Sequence, residues 1–194
     1  MRVAAARGRT AADVLLRALI DDAPALAEHA REVAALASTV ALALGLEPRA
    51  RELVARAAEL HDIGKMAIPG EILAKRGPLA AAEVEVMRRH TLMGESLIAA
   101  APTLRPVANL VRASHERWDG GGYPDGLRGE AIPLGARIVA VCDAFSAMCE
   151  ARPYGHVLSE ADAVAELRRC AGTQFDPRVV RAFCRTCTSR PVPA

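Results

Sequence analysis

Aromatic residues make up only 3% of the 194-residue chain, and 25 lysines and arginines nearly balance 23 aspartates and glutamates. So few rings, with charges of both signs interspersed, exclude a surface that stacks the bases of single-stranded nucleic acid, and no nucleic acid polymer is expected as a partner. The formal charge of +2 suits a phosphorylated ligand and argues nothing stronger. Long apolar runs are also missing. The stretch from Val14 to Ile20 is short and interrupted by Arg17, and the opening MRVAAARGRT has no apolar segment, so neither a signal peptide nor a membrane span fits. Five cysteines are an odd number without an export signal, which places the chain in a reducing cytoplasm with free thiols. Cys184 and Cys187 form one CxxC with no second pair and no nearby histidine, and read as two ordinary thiols on a last helix rather than a zinc or redox site.

Hydrophobic residues are abundant, at 52% of the chain. A chain of this size buries roughly 70% of its extended surface on folding, so stability does not demand a metal or a disulfide. Apolar residues recur at three and four, and the alternation of strands is absent, so the expected class is all-α, a compact helical bundle with one long Gly-rich loop. Thr10 with Asp13 makes a capping box for a first short helix. A second helix runs from about Pro24 to Leu44 and closes at Gly45, and Pro48 begins a third. Further helices are expected at about 80–100, 104–117 and 134–150, then from Ser159 with Asp162 as its capping partner, and from Asp176-Pro177. WDGGGYPDGLRGEAIP at 118–133 is too rich in Gly and Pro to be regular. The expected organisation is a helical appendage over 1–22, a domain over 23–187 and a tail over 188–194.

The histidines fall where they should face inward. His29 lies on the stripe His29-Val33-Leu36-Val40, His61 on Val54-Ala57-His61, His90 on Met87-His90-Gly94-Leu97, and His115 on Leu104-Ala108-Val111-His115. His156 belongs to no stripe. One histidine on an apolar face is most often a hydrogen-bonded core residue. The carboxylates weaken that reading. Asp143 is the only charged residue in IVAVCDAFSAMC, and a buried carboxylate must be neutralised, paired or bound to a cation. Asp62 follows His61 directly. Four imidazoles and two carboxylates without a thiolate suit divalent manganese, iron, cobalt, nickel or zinc rather than calcium or magnesium. In His61-Asp62-Ile63-Gly64-Lys65, a helix continuing one more turn brings Lys65 to the side of His61, where its ammonium reaches a phosphate, and Gly64 permits close backbone approach. The alternative is a helix that ends at Gly64 with a solvated lysine.

These residues, taken in order, resemble the HD-GYP family, a branch of the HD superfamily of metal-dependent phosphohydrolases. The resemblance runs from about Ala25 to Phe183 through His29, HDIGK at 61–65, IPGEILAKRGPL at 68–79, His90 with Gly94, HERWDGGGYPDGLRGEAIPLGARI at 115–138, DAF at 143–145, RPY at 152–154 and AGTQFDP at 171–177. It implies a helical HD-type domain that binds two divalent transition-metal ions, iron or manganese or another such as zinc, cobalt or nickel, and hydrolyses cyclic di-GMP to a linear dinucleotide or onward to GMP. It assigns His29, His61, Asp62 and Asp143 to the first metal, with Asp62 as a bridge, and His90 and His115 to the second. Lys65 matches the lysine that serves the scissile phosphate, so Asp62 and Lys65 carry catalysis, and Gly122, Tyr123, Pro124 and Arg152 contact the substrate. Glycines at 120–122 are expected to let amides approach a phosphate, with Tyr123 offering a hydroxyl and a ring face.

Four departures from the family pattern bear on the site. Ser114 stands where a second histidine normally precedes His115, Ala25 stands where some members carry a glutamate ligand for a third metal, Gly155 replaces a basic residue after RPY, and Ser146 replaces a second aspartate on the Asp143 helix. The second metal site is therefore expected to be weakened. Two alternatives remain open: a weakly active or inactive signalling domain that binds nucleotide or a protein partner, and a hydrolase of another phosphorylated nucleotide. With only about 22 residues before the resemblance, regulatory input is expected from a partner or a removed segment.

Overall fold

The computed structural model of the chain describes residues 10–150 and 157–187. Ten α-helices and three short 3₁₀ segments make up the described residues, which contain no strand. Helix α1 (Ala11–Asp22) starts where the Thr10 hydroxyl accepts the Asp13 amide and the Asp13 carboxylate accepts the Thr10 amide. Helix α2 (Pro24–Ala43) opens on its N1 proline and closes in a Schellman turn: the Leu46 amide reaches the Ala41 carbonyl, the Gly45 amide reaches Leu42, and Gly45 takes φ +75°. Helix α3 (Pro48–Leu60) follows directly.

Small side chains let α2 and α3 pack closely. Ala30, Val33, Ala37, Val40 and Ala41 of α2 meet Val54, Ala57 and Ala58 of α3, all within 2% of complete burial. Helix α8 (Leu134–Cys149) lies across both and buries Ile138, Val139, Val141 and Cys142. Gly135 at its start permits this approach, because a Cβ there would lie 2.8 Å from Leu110 and 3.1 Å from Val54. Helices α9 (Glu160–Arg169) and α10 (Pro177–Cys187) close the other side, where Phe183 packs on Phe145 with ring centroids 4.7 Å apart. The Ser159 hydroxyl caps α9 by accepting the Asp162 amide. Ala12 and Leu19 of α1 are also buried. Cys184 and Cys187 occupy the last turns of α10.

Three expected helices are shorter or broken, and a candidate functional group lies at each break. Helix α3 stops at Leu60, and Ile63–Ala67 winds as 3₁₀, so the α-helix does not continue to Lys65. The expected helix over 80–100 is two, α5 (Ala81–Arg88) and α6 (His90–Ala99), separated at Arg89 after the short α4 (Gly70–Leu73). Here His90 Nδ1 donates to the Met87 carbonyl and the Thr91 hydroxyl donates to that of Arg88, so side chains take carbonyls the helix would use. The expected helix over 104–117 is α7 (Arg105–Arg112), which ends where the Ser114 hydroxyl captures the Val111 carbonyl, leaving Ser114 and His115 in the following turn. Leu97, expected on the inward stripe of His90, is 43% exposed.

Candidate metal centre

Six side chains from five places in the fold converge. His29 comes from α2, His61 and Asp62 from the end of α3, His90 from the first position of α6, His115 from the turn after α7, and Asp143 from the middle of α8. They fall into two groups that could each hold an ion, His29 with His61 and Asp143, and Asp62 with His90 and His115, the ligand atoms within each group lying within 4.8 Å of one another.

Asp62 joins the groups. Its Oδ2 lies 3.5 Å from His61 Nε2, and its Oδ1 lies 3.6 Å from His90 Nε2. Asp143 Oδ1 lies 3.0 Å from His29 Nε2 and 3.7 Å from His61 Nε2. Donors bonded to one small divalent ion at about 2.1 Å stand about 3.0–3.5 Å apart, so these separations are at or within a few tenths of an ångström of the edges of a coordination polyhedron.

The imidazoles are oriented from behind. His61 Nδ1 donates to the Ala58 carbonyl at 2.8 Å and His90 Nδ1 to the Met87 carbonyl at 2.8 Å. A carbonyl only accepts, so the ring protons sit on Nδ1 and the Nε2 lone pairs face the cluster. His29 is held through a hydroxyl: Ser146 Oγ donates to Glu32 Oε2 at 2.8 Å and therefore accepts from His29 Nδ1 at 3.2 Å.

The residues fit metal ions. His61 Nε2, Asp62 Oδ1, His90 Nε2 and His115 Nε2 are all buried without a hydrogen-bond partner among the described residues. Lone pairs and carboxylate oxygens facing one another in the interior repel unless a metal cation or a proton lies between them. Without a metal, a proton on His61 takes that place. Burial works against ionising Asp143 and Asp62, yet the neighbouring imidazoles, and Lys65 beside Asp62, hold both carboxyls below the usual range. Burial pulls His61 down, but Asp62 and Asp143 outweigh it and raise its pKa to about 9. Burial dominates for His115, lowered to about 4, and for His90, also lowered.

Lys65 Nζ stands 2.5 Å from Asp62 Oδ2, with its side chain 25% exposed. The 3₁₀ turn, not a continued helix, delivers it. Gly64 permits close approach, but to protein: a Cβ there would lie 1.9 Å from the His90 carbonyl oxygen and 2.6 Å from the Gly94 amide nitrogen. That contact presses the 3₁₀ turn onto the start of α6 and sets Asp62 against His90.

The Gly-rich loop is tied down from within. Buried Glu116 accepts the Asp125 amide at 2.7 Å and the Leu127 amide at 3.0 Å, and Arg112 forms a two-pronged pair with Asp125. The expectation that glycine amides at 120–122 approach a phosphate is corrected in part, because the Gly120 amide donates to the Arg117 carbonyl and the Gly121 amide to Asp119. Gly122 is required for space, since a Cβ there would lie 2.3 Å from the Arg117 nitrogen. Tyr123 joins a cis peptide to Pro124. Its ring lies parallel to His115, with centroids 5.2 Å apart, and its amide donates to the His115 carbonyl. The ring face expected to serve a ligand is thus engaged with a candidate metal ligand. Burial pushes the Tyr123 phenol up to about 12, so it keeps its proton.

Ser114 is buried, its hydroxyl bonded to the Val111 carbonyl, beside a cavity of about 70 Å³ that His115 and Asp143 also line. Arg152, Gly155 and His156 lie outside the described residues. Sequence reasoning missed Glu32 and the task of Ser146. The signal was present: Glu32 is three residues after His29 on α2, and Ser146 three after Asp143 on α8, which puts each on its partner's face. Nothing comparable marks Glu116, whose role depends on a loop that turns back on it.

A family model described as the HD domain matches residues 13–179. The chain is 45% identical over 152 residues to the cyclic di-GMP phosphodiesterase response regulator RpfG of Xanthomonas campestris, an alignment covering 77% of this chain and 40% of that protein. It is 39% identical over 157 residues to a cyclic di-GMP phosphodiesterase of Thermotoga maritima, covering 80% and 43%. The fold superposes on Bd1817, an HDG"Y"P protein from Bdellovibrio bacteriovorus, with a TM-score of 0.68 at 18% identity, covering 90% of this chain and 57% of that one. The chain spans about two fifths of the length of the two curated relatives. No helix among the described residues is long and apolar enough to cross a membrane.

Proposed function

Because the chain belongs to the HD domain family, in its HD-GYP branch, we propose that it is a metal-dependent phosphodiesterase that hydrolyses cyclic di-GMP to a linear dinucleotide, GMP or both. The observation that carries this reading is the set of buried, unpartnered acceptor atoms on His61, Asp62, His90 and His115. His29, His61 and Asp143 would hold one ion and His90 and His115 the other, with Asp62 facing both, and iron or manganese would suit these nitrogen and oxygen donors, as would zinc, cobalt and nickel. When bound, such a pair supplies a hydroxide for in-line attack on phosphorus and compensates the charge that develops there.

The chain's own groups do the rest. Lys65 presents an ammonium at the edge of the cluster, where it neutralises a non-bridging phosphate oxygen. Tyr123 keeps its phenolic proton at neutral pH and donates it in a hydrogen bond to the phosphate or leaving oxygen. The packed walls of α2, α3 and α8 keep bulk water from the acceptor atoms.

Metal analysis of the purified protein, together with chromatographic identification of products from cyclic di-GMP before and after chelation, tests this reading. Metal-dependent release of a linear dinucleotide or GMP is expected; a metal-loaded protein that leaves cyclic di-GMP intact refutes it. Ser114 favours a second reading, a domain that binds nucleotide or a protein partner without turnover, since its hydroxyl is engaged with Val111 and leaves the second group one imidazole short. In that case cyclic di-GMP binds and is recovered unchanged.

A further inference from the structure

Next to the second ligand group a cleft of about 380 Å³ opens between Arg88 and Arg89 on one side and Gly122, Tyr123 and Pro124 on the other. We propose that this cleft receives the half of the cyclic dinucleotide that is not being cut, and that Arg88 binds its second, unreacting phosphodiester. The inference rests on the reading of the chain as a cyclic dinucleotide phosphodiesterase and deepens it.

A cyclic dinucleotide carries two phosphodiesters in one ring. With one at the metal ligands, the other stands beyond them, and its charge needs a donor at the mouth of the site. Arg88 is placed for this. Its guanidinium carbon lies 5.3 Å from the centre of the Tyr123 ring, the ring that lies parallel to His115. His115 therefore packs on Tyr123, and Tyr123 on Arg88, so the cation sits one ring beyond a candidate metal ligand. A single residue, Arg89, separates Arg88 at the end of α5 from His90 at the start of α6.

Arg88 is also available. Its ion pair with Glu85 at 3.1 Å joins side chains 48% and 66% exposed, a solvated contact that a phosphate readily displaces. A guanidinium over a ring face still has N–H donors to offer, and a phosphodiester accepts two of them side by side. Arg89 adds a second positive charge to the same wall, against the single carboxylate of Glu85.

The test compares two substrates in the metal-loaded protein. Cyclic di-GMP has two phosphates; bis(p-nitrophenyl) phosphate has one and cannot reach both the metals and Arg88. Arg88→Ala is expected to raise KM for cyclic di-GMP about tenfold or more, with a loss in kcat/KM at least five times larger than for bis(p-nitrophenyl) phosphate. Arg88→Lys, which keeps the charge but not the fork, is expected to recover part of the loss. Equal losses on both substrates would mean that Arg88 acts only by holding Tyr123 and His115, and no change on cyclic di-GMP would mean that it touches no phosphate; either overturns the proposal. If wild type cleaves bis(p-nitrophenyl) phosphate but not cyclic di-GMP, the function reading fails by itself. Calorimetric titration of cyclic di-GMP into wild type and Arg88→Ala then decides the role of Arg88: weaker binding in the variant supports it, and equal binding or none overturns it.

Discussion

Replacing Ser146 with alanine removes one hydroxyl that touches no proposed metal ion, yet it is expected to weaken metal binding at the first site. Ser146 Oγ has a single proton, and Glu32 Oε2, 2.8 Å away, accepts it. The hydroxyl oxygen is then the acceptor for His29 Nδ1–H at 3.2 Å, which leaves the Nε2 lone pair facing Asp143 Oδ1 at 3.0 Å. Two acceptors that close are stable only with a cation or a proton between them, so the Ser146 and Glu32 pair prepares His29 for a metal. Alanine strands the Nδ1–H in an interior where Ser146 is 1% and His29 7% exposed. Loss of such a supporting contact typically costs about 10–100-fold in metal affinity, or about 1.4–2.7 kcal/mol. Glu150 Oε2, 3.4 Å from Nδ1, offers a substitute acceptor, which places the expected loss near tenfold. Competition between the protein and a chelator for manganese measures it, with Glu32→Ala expected to lose less because the hydroxyl remains. An unchanged affinity in Ser146→Ala would refute the reasoning, since His29 would then need no such partner.

Asp62→Ala removes the carboxylate that faces both groups, so metal content should fall at both sites and cyclic di-GMP hydrolysis should drop at least a hundredfold; survival within a few-fold would remove Asp62 from the bridge. Gly64→Ala drives a Cβ to 1.9 Å from the His90 carbonyl oxygen, in rigid backbone, and should cost about 3 kcal/mol or more in denaturant unfolding; a loss under about 1 kcal/mol would mean that the 3₁₀ turn yields easily. His61, raised to about 9 in the metal-free protein, contributes stability that is complete below about pH 6.5 and disappears as pH rises through 9, whereas His115, lowered to about 4, contributes stability present above about pH 6.5 and lost as pH falls toward 4. Manganese binding at pH 7.5 must therefore release the His61 proton, so the calorimetric enthalpy should vary with the ionisation heat of the buffer and affinity should rise toward pH 9; a buffer-independent enthalpy would show that no proton is displaced. Ser114→His should raise occupancy of the second site by placing an imidazole beside the cavity next to His115 and Asp143; two ions per wild-type chain at full occupancy, with no gain in the variant, would show that the serine costs nothing.

Local physics made much of the architecture legible. The Thr10 and Asp13 capping box, the Gly45 stop and the Ser159 cap each act over a few residues, and each stands where the chain places it. The apolar stripes likewise determine which faces of α2, α3 and α8 turn inward, and they carry His29, His61 and Asp143 with them. Where helices end was less legible. The breaks at Arg89 and after Arg112 depend on His90, Thr91 and Ser114 taking backbone carbonyls, a competition that periodicity does not register.

The sequence by itself determined the donor set: four imidazoles on apolar faces and two carboxylates that cannot be buried alone. Tertiary structure decided the contacts that hold those donors in place. Asp62 serves both groups because the Gly64 backbone abuts the His90 and Gly94 backbone, a contact between segments more than twenty positions apart. His29 is held by Ser146 across a separation of 117 residues, and the Tyr123 ring is turned against His115 by a loop anchored on Glu116. The reason is the range of the forces. Capping and amphipathic burial are set by neighbours three or four residues away, whereas a hydrogen bond or an ion site needs atoms about 3 Å apart, and only the packed helices bring such atoms together.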